Sequence, residues 1–183
     1  MSSPNKDLGP CIVVWNGRGV ALGETVVTYS KTFGGVFFRY EELRAEVKRD
    51  QAGETHVDDV TTGVVNPELE VPMTQEEIAR LVECYANAEA VALGTIAASM
   101  RVSNPVGENV YPLTRQVIAK PIVNGVISAT ATEWLYIHRA FPRVTMEQAY
   151  DNSGQRTVKV IFKGFPDDVC NRSNELWRYG LTV

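Results

Sequence analysis

The chain has few of the residues from which most catalytic and metal sites are built. Its 183 residues include two histidines, His56 and His138, and three cysteines, Cys11, Cys84 and Cys170. Histidine is the usual acid or base near neutral pH, so two separate histidines argue against general acid–base catalysis. An odd number of widely spaced cysteines argues against a disulfide framework and a zinc site, and fits a reducing compartment.

Long apolar runs and a strong excess of one charge are also missing. No run reaches the roughly 18 apolar residues of a membrane span, and no charged-then-apolar leader opens the chain. We therefore expect a soluble protein that is not exported by an N-terminal signal. Eighteen basic residues against 22 acidic ones give a net charge of -4, which argues against a surface that grips phosphate backbones. The short motifs of phosphate-binding loops, serine hydrolases and zinc proteases are absent, so we expect no enzyme and no cofactor.

Length and composition indicate one globular domain. A chain of 183 residues with 44% hydrophobic and 22% charged residues has ordinary globular values. Residues 1–10 are polar and contain two prolines and a glycine. We expect them to form a flexible N-terminal arm, followed by a single domain over residues 11–183.

Alternating apolar and charged residues predict two successive strands in the first half of the chain. Residues 42–50 carry three apolar side chains on one face, Leu43, Ala45 and Val47. Charges that change sign at every step occupy the other face, so we expect a half-buried strand. Residues 59–73 form the second strand and put Leu69, Val71 and Met73 on one side. Pro67 cannot donate to a ladder and predicts a bulge or an edge there.

The clearest helix signal follows directly. Thr74 and Glu77 have the spacing of a capping box, in which each side chain accepts from the other residue's backbone amide. Four apolar residues then recur on one helical face, Ile78, Leu81, Val82 and Tyr85. This spacing predicts a helix over about residues 75–85 that lies with that face on a sheet.

Turn signals divide the remainder into short strands. Asn16-Gly17 predicts a hairpin over residues 11–22, and Asn124-Gly125 predicts a second turn. Later strand patterns cover residues 115–123, 133–141 and 156–165, while helix and strand cannot be separated over residues 86–100. The predicted fold class is mainly β (α+β), an antiparallel β-sandwich or barrel with one flanking helix.

Two parts of the chain resemble a known family. The first is the run Thr32-Phe33-Gly34-Gly35-Val36, followed by the charged alternating strand, a connector from Asp58 to Gly63 and the capped helix. The second is the late segment Val158-Lys159-Val160-Ile161-Phe162-Lys163-Gly164-Phe165-Pro166-Asp167. Together they resemble the tail tube proteins of tailed bacteriophages.

This resemblance implies a structural role. Such subunits form hexameric rings that stack into the hollow tube of the virion tail, after assembly in the host cytoplasm. The genome passes through the bore without specific binding. The implied partners are further copies of the chain and the sheath, tail terminator or baseplate proteins, and no membrane is involved.

The resemblance also implies roles for two groups of residues. The charged strand would face the lumen with Glu42, Arg44, Glu46 and Lys48. The polar connector would reach the neighbouring ring with Arg49, Asp50, Glu54 and Asp58. Taken alone, the same residues also fit a solvated outer face and an ordinary surface loop.

Two functions from other classes stay open at this point. One is a small flavin- or ligand-binding β-barrel enzyme, which would need to gather its scattered cations, Lys120, Arg139, Arg156 and Lys163. Visible absorbance of the purified protein would favour it. The other is a non-tubular β-sandwich adaptor module, which a size measurement separates from a ring-forming protein.

Overall fold

Strands account for nearly all of the regular secondary structure in the described part of the chain. The computed structural model describes residues 10–16, 26–30, 32, 35–48, 56–74, 82–85, 88–93, 96–103, 106–147, 157–167 and 175–180, with only the backbone at 47–48, 56–58, 73–74, 90–93, 96–99, 146–147 and 157. The strands are β1 Cys11–Trp15, β2 Val27–Tyr29, β3 Phe37–Lys48, β4 His56–Thr74, β5 Ala88–Leu93, β6 Ile96–Val102, β7 Arg115–Val123, β8 Val126–Ile127, β9 Leu135–Glu147, β10 Thr157–Gly164 and β11 Arg178–Tyr179. Two single-turn 3-10 helices cover Tyr111–Leu113 and Ala131–Glu133. The mainly β prediction is confirmed.

Nine of the strands form one antiparallel sheet. Its order is β2-β1-β7-β9-β10-β4-β3, with β8 added to β7 and β11 added to β9, while β5 and β6 form a separate hairpin. The sheet is open, with β2 and β3 at its two edges. It does not close on itself, so the barrel version of the predicted fold is wrong.

The sheet curls strongly around its core. The ring of Phe162 in β10 lies 6.0 Å from Trp15 in β1 and 5.8 Å from Tyr29 in β2. In a flat sheet β2 and β10 would be roughly 19 Å apart, because neighbouring strands are about 4.8 Å apart. The main core therefore fills the concave face, and a second apolar cluster of Ile12, Val14, Ile118 and Tyr136 lies on the opposite face.

Strands β4 and β10 follow the predicted alternation. Leu69 and Val71 of β4 and Val158, Val160 and Phe162 of β10 are all buried in the core. Lys159 and Lys163 of β10, on the opposite parity, are exposed. The period of two is clear on β10, which has one face on the core and one in solvent, whereas Glu70 on the other face of β4 is buried as well.

The two turn predictions have different outcomes. Trp15 of β1 pairs with Val27 of β2, so residues 16–26 connect these strands and the predicted hairpin over residues 11–22 is wrong. Asn16 does adopt positive φ (61°), but it does not close a two-residue turn. Asn124 and Gly125, with φ of 52° and 77°, do join β7 to β8, as predicted.

The region around the predicted helix is described only in part. Thr74 is the last residue of β4, and residues 82–85 form a single turn. Residues 75–81, including Glu77, lie outside the described residues, so the capping pair and most of the helix stay predictions. Residues 1–9 of the predicted arm also lie outside them.

Two other expectations for the first half of the chain are resolved. The ambiguous stretch over residues 86–100 contains the β5–β6 hairpin. The predicted bulge at Pro67 is confirmed by a register shift opposite Tyr40, between the pairs Arg39–Glu68 and Glu41–Val65. A bulge is the arrangement that tolerates the missing amide hydrogen of proline.

Gly164 of β10 packs closely against side chains of the two neighbouring strands, β4 and β9. A Cβ at this position would lie 2.6 Å from Cγ of Pro67 and 3.0 Å from Cγ2 of Ile137. We expect Gly164→Ala to lower the free energy of unfolding by about 1–3 kcal/mol, because both neighbours are held in the core. Gly63→Ala is the matched control, since its Cβ would lie 3.7 Å from Leu43 Cδ1. Urea unfolding of both variants is the measurement, and equal stabilities would contradict the packing described here.

Candidate assembly surface

The longest strand pair among the described residues, β3 with β4, extends past the rest of the sheet. β3 and β4 pair from Phe37 and Glu70 as far as Lys48 and His56. β10 pairs with β4 only over residues 68–74. Residues 41–48 and 56–65 therefore pair only with each other among the described strands, and we refer to them as the ribbon.

The register of the ribbon separates its side chains onto two faces. One face carries charge, with Glu42, Arg44 and Glu46 from β3 and Asp59 from β4. The opposite face is mostly apolar, with Leu43 and Ala45 from β3 and Val60 and Val65 from β4. The alternation predicted from the sequence is therefore present, and it creates an amphipathic two-stranded ribbon.

The apolar face of the ribbon is not covered by the described part of the chain. Leu43 is 47% exposed, Val60 50% and Val65 43%. The expectation that this strand is half-buried is wrong for the single chain, because no further described strand packs on it. A two-stranded ribbon is marginally stable in water on its own, and clustered exposed apolar residues mark interaction sites.

The charged face is acid-rich. Arg44 donates to Glu42 across 2.9 Å. This hydrogen bond and the attraction of Glu42, with a smaller contribution from Asp59, raise the pKa of the guanidinium. Glu46 stands directly opposite Asp59 in the register of this face. The described part of this face thus carries three carboxylates and one guanidinium.

The structure places five of the eight residues named from the resemblance in this ribbon. Glu42, Arg44 and Glu46 share the charged face, and the backbone of Lys48 continues the same strand. Asp58 lies near the outer end of β4, opposite Val47. The other members of the expected inter-ring loop, Arg49, Asp50 and Glu54, lie outside the described residues.

Aromatic residues fix the root of the ribbon. The ring of Trp177, from the C-terminal segment, lies 5.1 Å from Phe38 and 5.5 Å from Tyr40, both in edge-on geometry. Beside them a groove of about 380 Å³ is lined by Phe38, Arg39, Tyr40, Glu41, Val65, Asn66 and Glu68. Edge-on aromatic pairs add roughly 0.5–1.5 kcal/mol beyond burial, so Trp177 stabilises the part of β3 from which the ribbon begins.

A buried polar cluster attaches this C-terminal segment to β9. The imidazole of His138 is 2% exposed and lies 3.3 Å from Oε1 of Glu175 and 3.3 Å from Nε2 of Gln116. Both contacts are satisfied when Nε2 donates to the carboxylate and Nδ1 accepts from the amide. Arg178 donates twice to Glu175, at 2.7 and 3.0 Å. The contacts of His138 therefore indicate a structural role for this side chain.

The neighbouring ion pair has the same role. Arg139 Nε donates to Oδ1 of Asp167 at 3.1 Å, and its NH1 donates to Thr114 at 3.2 Å. A register shift in the β7–β9 ladder at this level shows a bulge in β9, which turns both His138 and Arg139 toward the C-terminal segment. Sequence reasoning missed this pair because its two residues are 28 positions apart and neither has a local motif.

Among the described residues, no group of side chains matches the acid–base or metal sites considered in the sequence analysis. Burial raises the pKa of the Cys11 and Cys84 thiols to about 11, although Tyr29 bonds to Cys84 at 2.9 Å and opposes the shift there. Thiols with such pKa values are poor nucleophiles and ligands. Within the described ranges, no three His, Cys, Asp or Glu side chains group as a metal site would need.

Comparison with known proteins adds no assignment. No helix of the described residues is long and apolar enough to cross a membrane. No protein-family model matches the chain, and no curated protein matches it.

Proposed function

We propose that this chain is a structural subunit that forms hexameric rings, and that these rings stack into the hollow tail tube of a bacteriophage. The observation that carries the proposal is the ribbon, whose apolar face exposes Leu43, Val60 and Val65 at 43–50% in the single chain. A ribbon of this kind gains stability when a neighbouring copy covers it. The resemblance of residues 32–85 to tail tube proteins supplies the kind of assembly.

The open sheet supports self-assembly on independent grounds. Its edges, β2 and β3, present backbone groups that can pair with another strand. If the sheet of each subunit continues into the next, both edges are removed when the ring closes. Sheath, terminator and baseplate proteins are then the other partners, in contact with the outside and the two ends of the tube.

DNA is the molecule that such a tube conducts. A bore should hold a polyanion weakly, because a basic wall binds phosphates and slows transit. The chain has a net charge of -4 and an acid-rich ribbon face with Glu42, Glu46 and Asp59. These features fit passage of DNA without specific binding.

No described feature favours the enzyme alternative. Lys120 lies over the ring of Trp134 at 4.1 Å, and Arg139 is engaged by Asp167. Two cations of the set named from the sequence are therefore engaged by other side chains, and the open sheet of the described strands has no barrel mouth for a ligand.

Shortening the connector between β3 and β4 tests the stacking part of the proposal. We expect deletion within residues 51–56 to permit rings but block tubes, because this connector would carry the ring-to-ring contacts. The readout is negative-stain electron microscopy at matched protein concentration. A turn deletion at Asn124-Gly125, which lies between β7 and β8, serves as the control for loop shortening. Normal tube growth by the connector variant would refute the role of this loop.

A further inference from the structure

The groove at the root of the ribbon, about 380 Å³ in volume, lies at the bulge of Pro67. Between the pairs on either side of this bulge β3 advances two residues and β4 three, so the extra residue belongs to β4. Arg39 and Glu41 are therefore on the same side of β3, and their partners Glu68 and Val65 share that side. This is the side of the apolar face of the ribbon. The groove thus opens away from the charged face that the proposed function assigns to the bore.

Two carboxylates of the groove are accessible to a cation from outside the chain. Glu41 is exposed and Glu68 is half-buried. Arg39, the cation beside them, pairs with Glu70 at 3.3 Å, and no ion pair between described residues includes Glu41 or Glu68. Val65, between the two sides of the groove, is 43% exposed. A long cationic side chain can lay its methylene stem on this valine and present its head group to the carboxylates.

The outer end of the ribbon supplies a cation of this type. β3 ends at Lys48 and β4 begins at His56, so the connector between them comprises residues 49–55. Arg49 is the one lysine or arginine in the sequence of this connector. Lys48 lies seven residues beyond Glu41 on the same strand, roughly 23 Å away. Arg49 therefore cannot reach the groove of its own copy, and a second copy has to provide the groove.

We propose that Arg49 of one copy inserts into the groove of a copy in the next ring, with its guanidinium beside Glu41 and Glu68. The planar fork of arginine matches carboxylate oxygens, and its stem suits the apolar side of the groove. The contact joins the outer end of one ribbon to the root of another, so it is heterologous and can repeat head to tail without closing. The inference rests on the proposed function and names the two surfaces that join successive rings.

One such contact is too weak to hold two subunits together, because a solvent-exposed ion pair contributes little by itself. A hexameric ring repeats the contact at every subunit, and the first contacts align the two rings for the others. We therefore expect this contact to decide whether rings stack, and to leave the formation of single rings unchanged.

Charge reversal on each side tests the contact. The connector variant is Arg49→Glu, and the groove variant is Glu41→Arg with Glu68→Gln. Each brings like charges together, and we expect the protein concentration at which half of the rings are stacked to rise by about tenfold or more. The combined variant, with all three changes, restores opposite charges and should stack within about threefold of the wild type. Arg143→Glu, at an exposed position of β9 outside the groove, is the matched control and should stack normally.

Sedimentation velocity separates single rings from stacks, electron microscopy gives tube lengths, and thermal unfolding checks that each variant is folded. Normal tubes from the Arg49→Glu chain would overturn this contact and leave the proposed function intact. A combined variant that is folded and forms rings but does not stack would also overturn it, as would an equal loss of stacking in the control. A wild-type chain that stays monomeric would overturn both proposals.

Discussion

Phe162→Ala is expected to lower the free energy of unfolding by about 3–5 kcal/mol, the range for removing a large aromatic side chain from a core. Phe162 is fully buried, and its ring contacts Trp15 and Tyr29 from strands distant in the sheet order. Its removal therefore opens a cavity where β10 packs against β1 and β2 across the concave face of the sheet.

Urea unfolding followed by circular dichroism measures the loss. Phe37→Ala is the matched control, because Phe37 also lies in a strand of the sheet but is 50% exposed on the side opposite the core. We expect it to change the free energy of unfolding by less than about 1 kcal/mol. Similar losses for the two variants would contradict the placement of Phe162 in the core.

The second large effect is expected at the buried ion pair of β9. Arg139→Met removes the guanidinium that lies 3.1 Å from Asp167, whose side chain is 3% exposed. A buried carboxylate that loses its cation typically costs about 3–5 kcal/mol, because its desolvation is no longer compensated. The backbone of Asp167 also forms an isolated β-bridge with Glu175, so we expect the C-terminal segment, residues 175–180, to detach first.

Hydrogen exchange of the amides around Asp167 and Trp177, together with urea unfolding, follows this change. Arg143→Met, at an exposed position of the same strand, should alter the free energy of unfolding by no more than about 0.5 kcal/mol. Adding Asp167→Leu to Arg139→Met should recover part of the loss, because the uncompensated charge is then gone. Failure of the single variant to destabilise would show that the pair contributes little.

The sequence was sufficient for the strands with one buried and one solvated face. Val158, Val160 and Phe162 alternate with Lys159, Ile161 and Lys163, and the structure buries the first three. The turn at Asn124-Gly125 was also predicted correctly, because the φ values of its two residues determine a two-residue turn. In both cases the deciding interactions are close in sequence or repeat with a fixed period.

Strand pairing and the extent of burial could not be predicted from the sequence. Asn16-Gly17 carries the same turn signal, but eleven residues separate β1 from its partner β2, because packing of the whole sheet decides the partner. The apolar residues of the ribbon, Leu43 among them, show the pattern of a half-buried strand. That pattern is the same whether the covering surface belongs to the same chain or to another.

The anchoring of the C-terminal segment was also unpredictable. The contact of His138 with Glu175 could not be predicted from the sequence. A bulge in β9 turns the His138 side chain toward Glu175, and no local motif marks a bulge of this type. The signal available was only that a histidine and an arginine interrupt an apolar strand. Such an interruption indicates polar partners without identifying them.

The central claim is that this chain assembles into rings and tubes. Negative-stain electron microscopy of the purified protein, combined with light scattering, tests it most directly. We expect particles of about six times the 20.2 kDa chain mass, or stacked tubes of uniform width. A single species with the mass of one chain at every concentration, and without rings or tubes on the grid, would contradict the account.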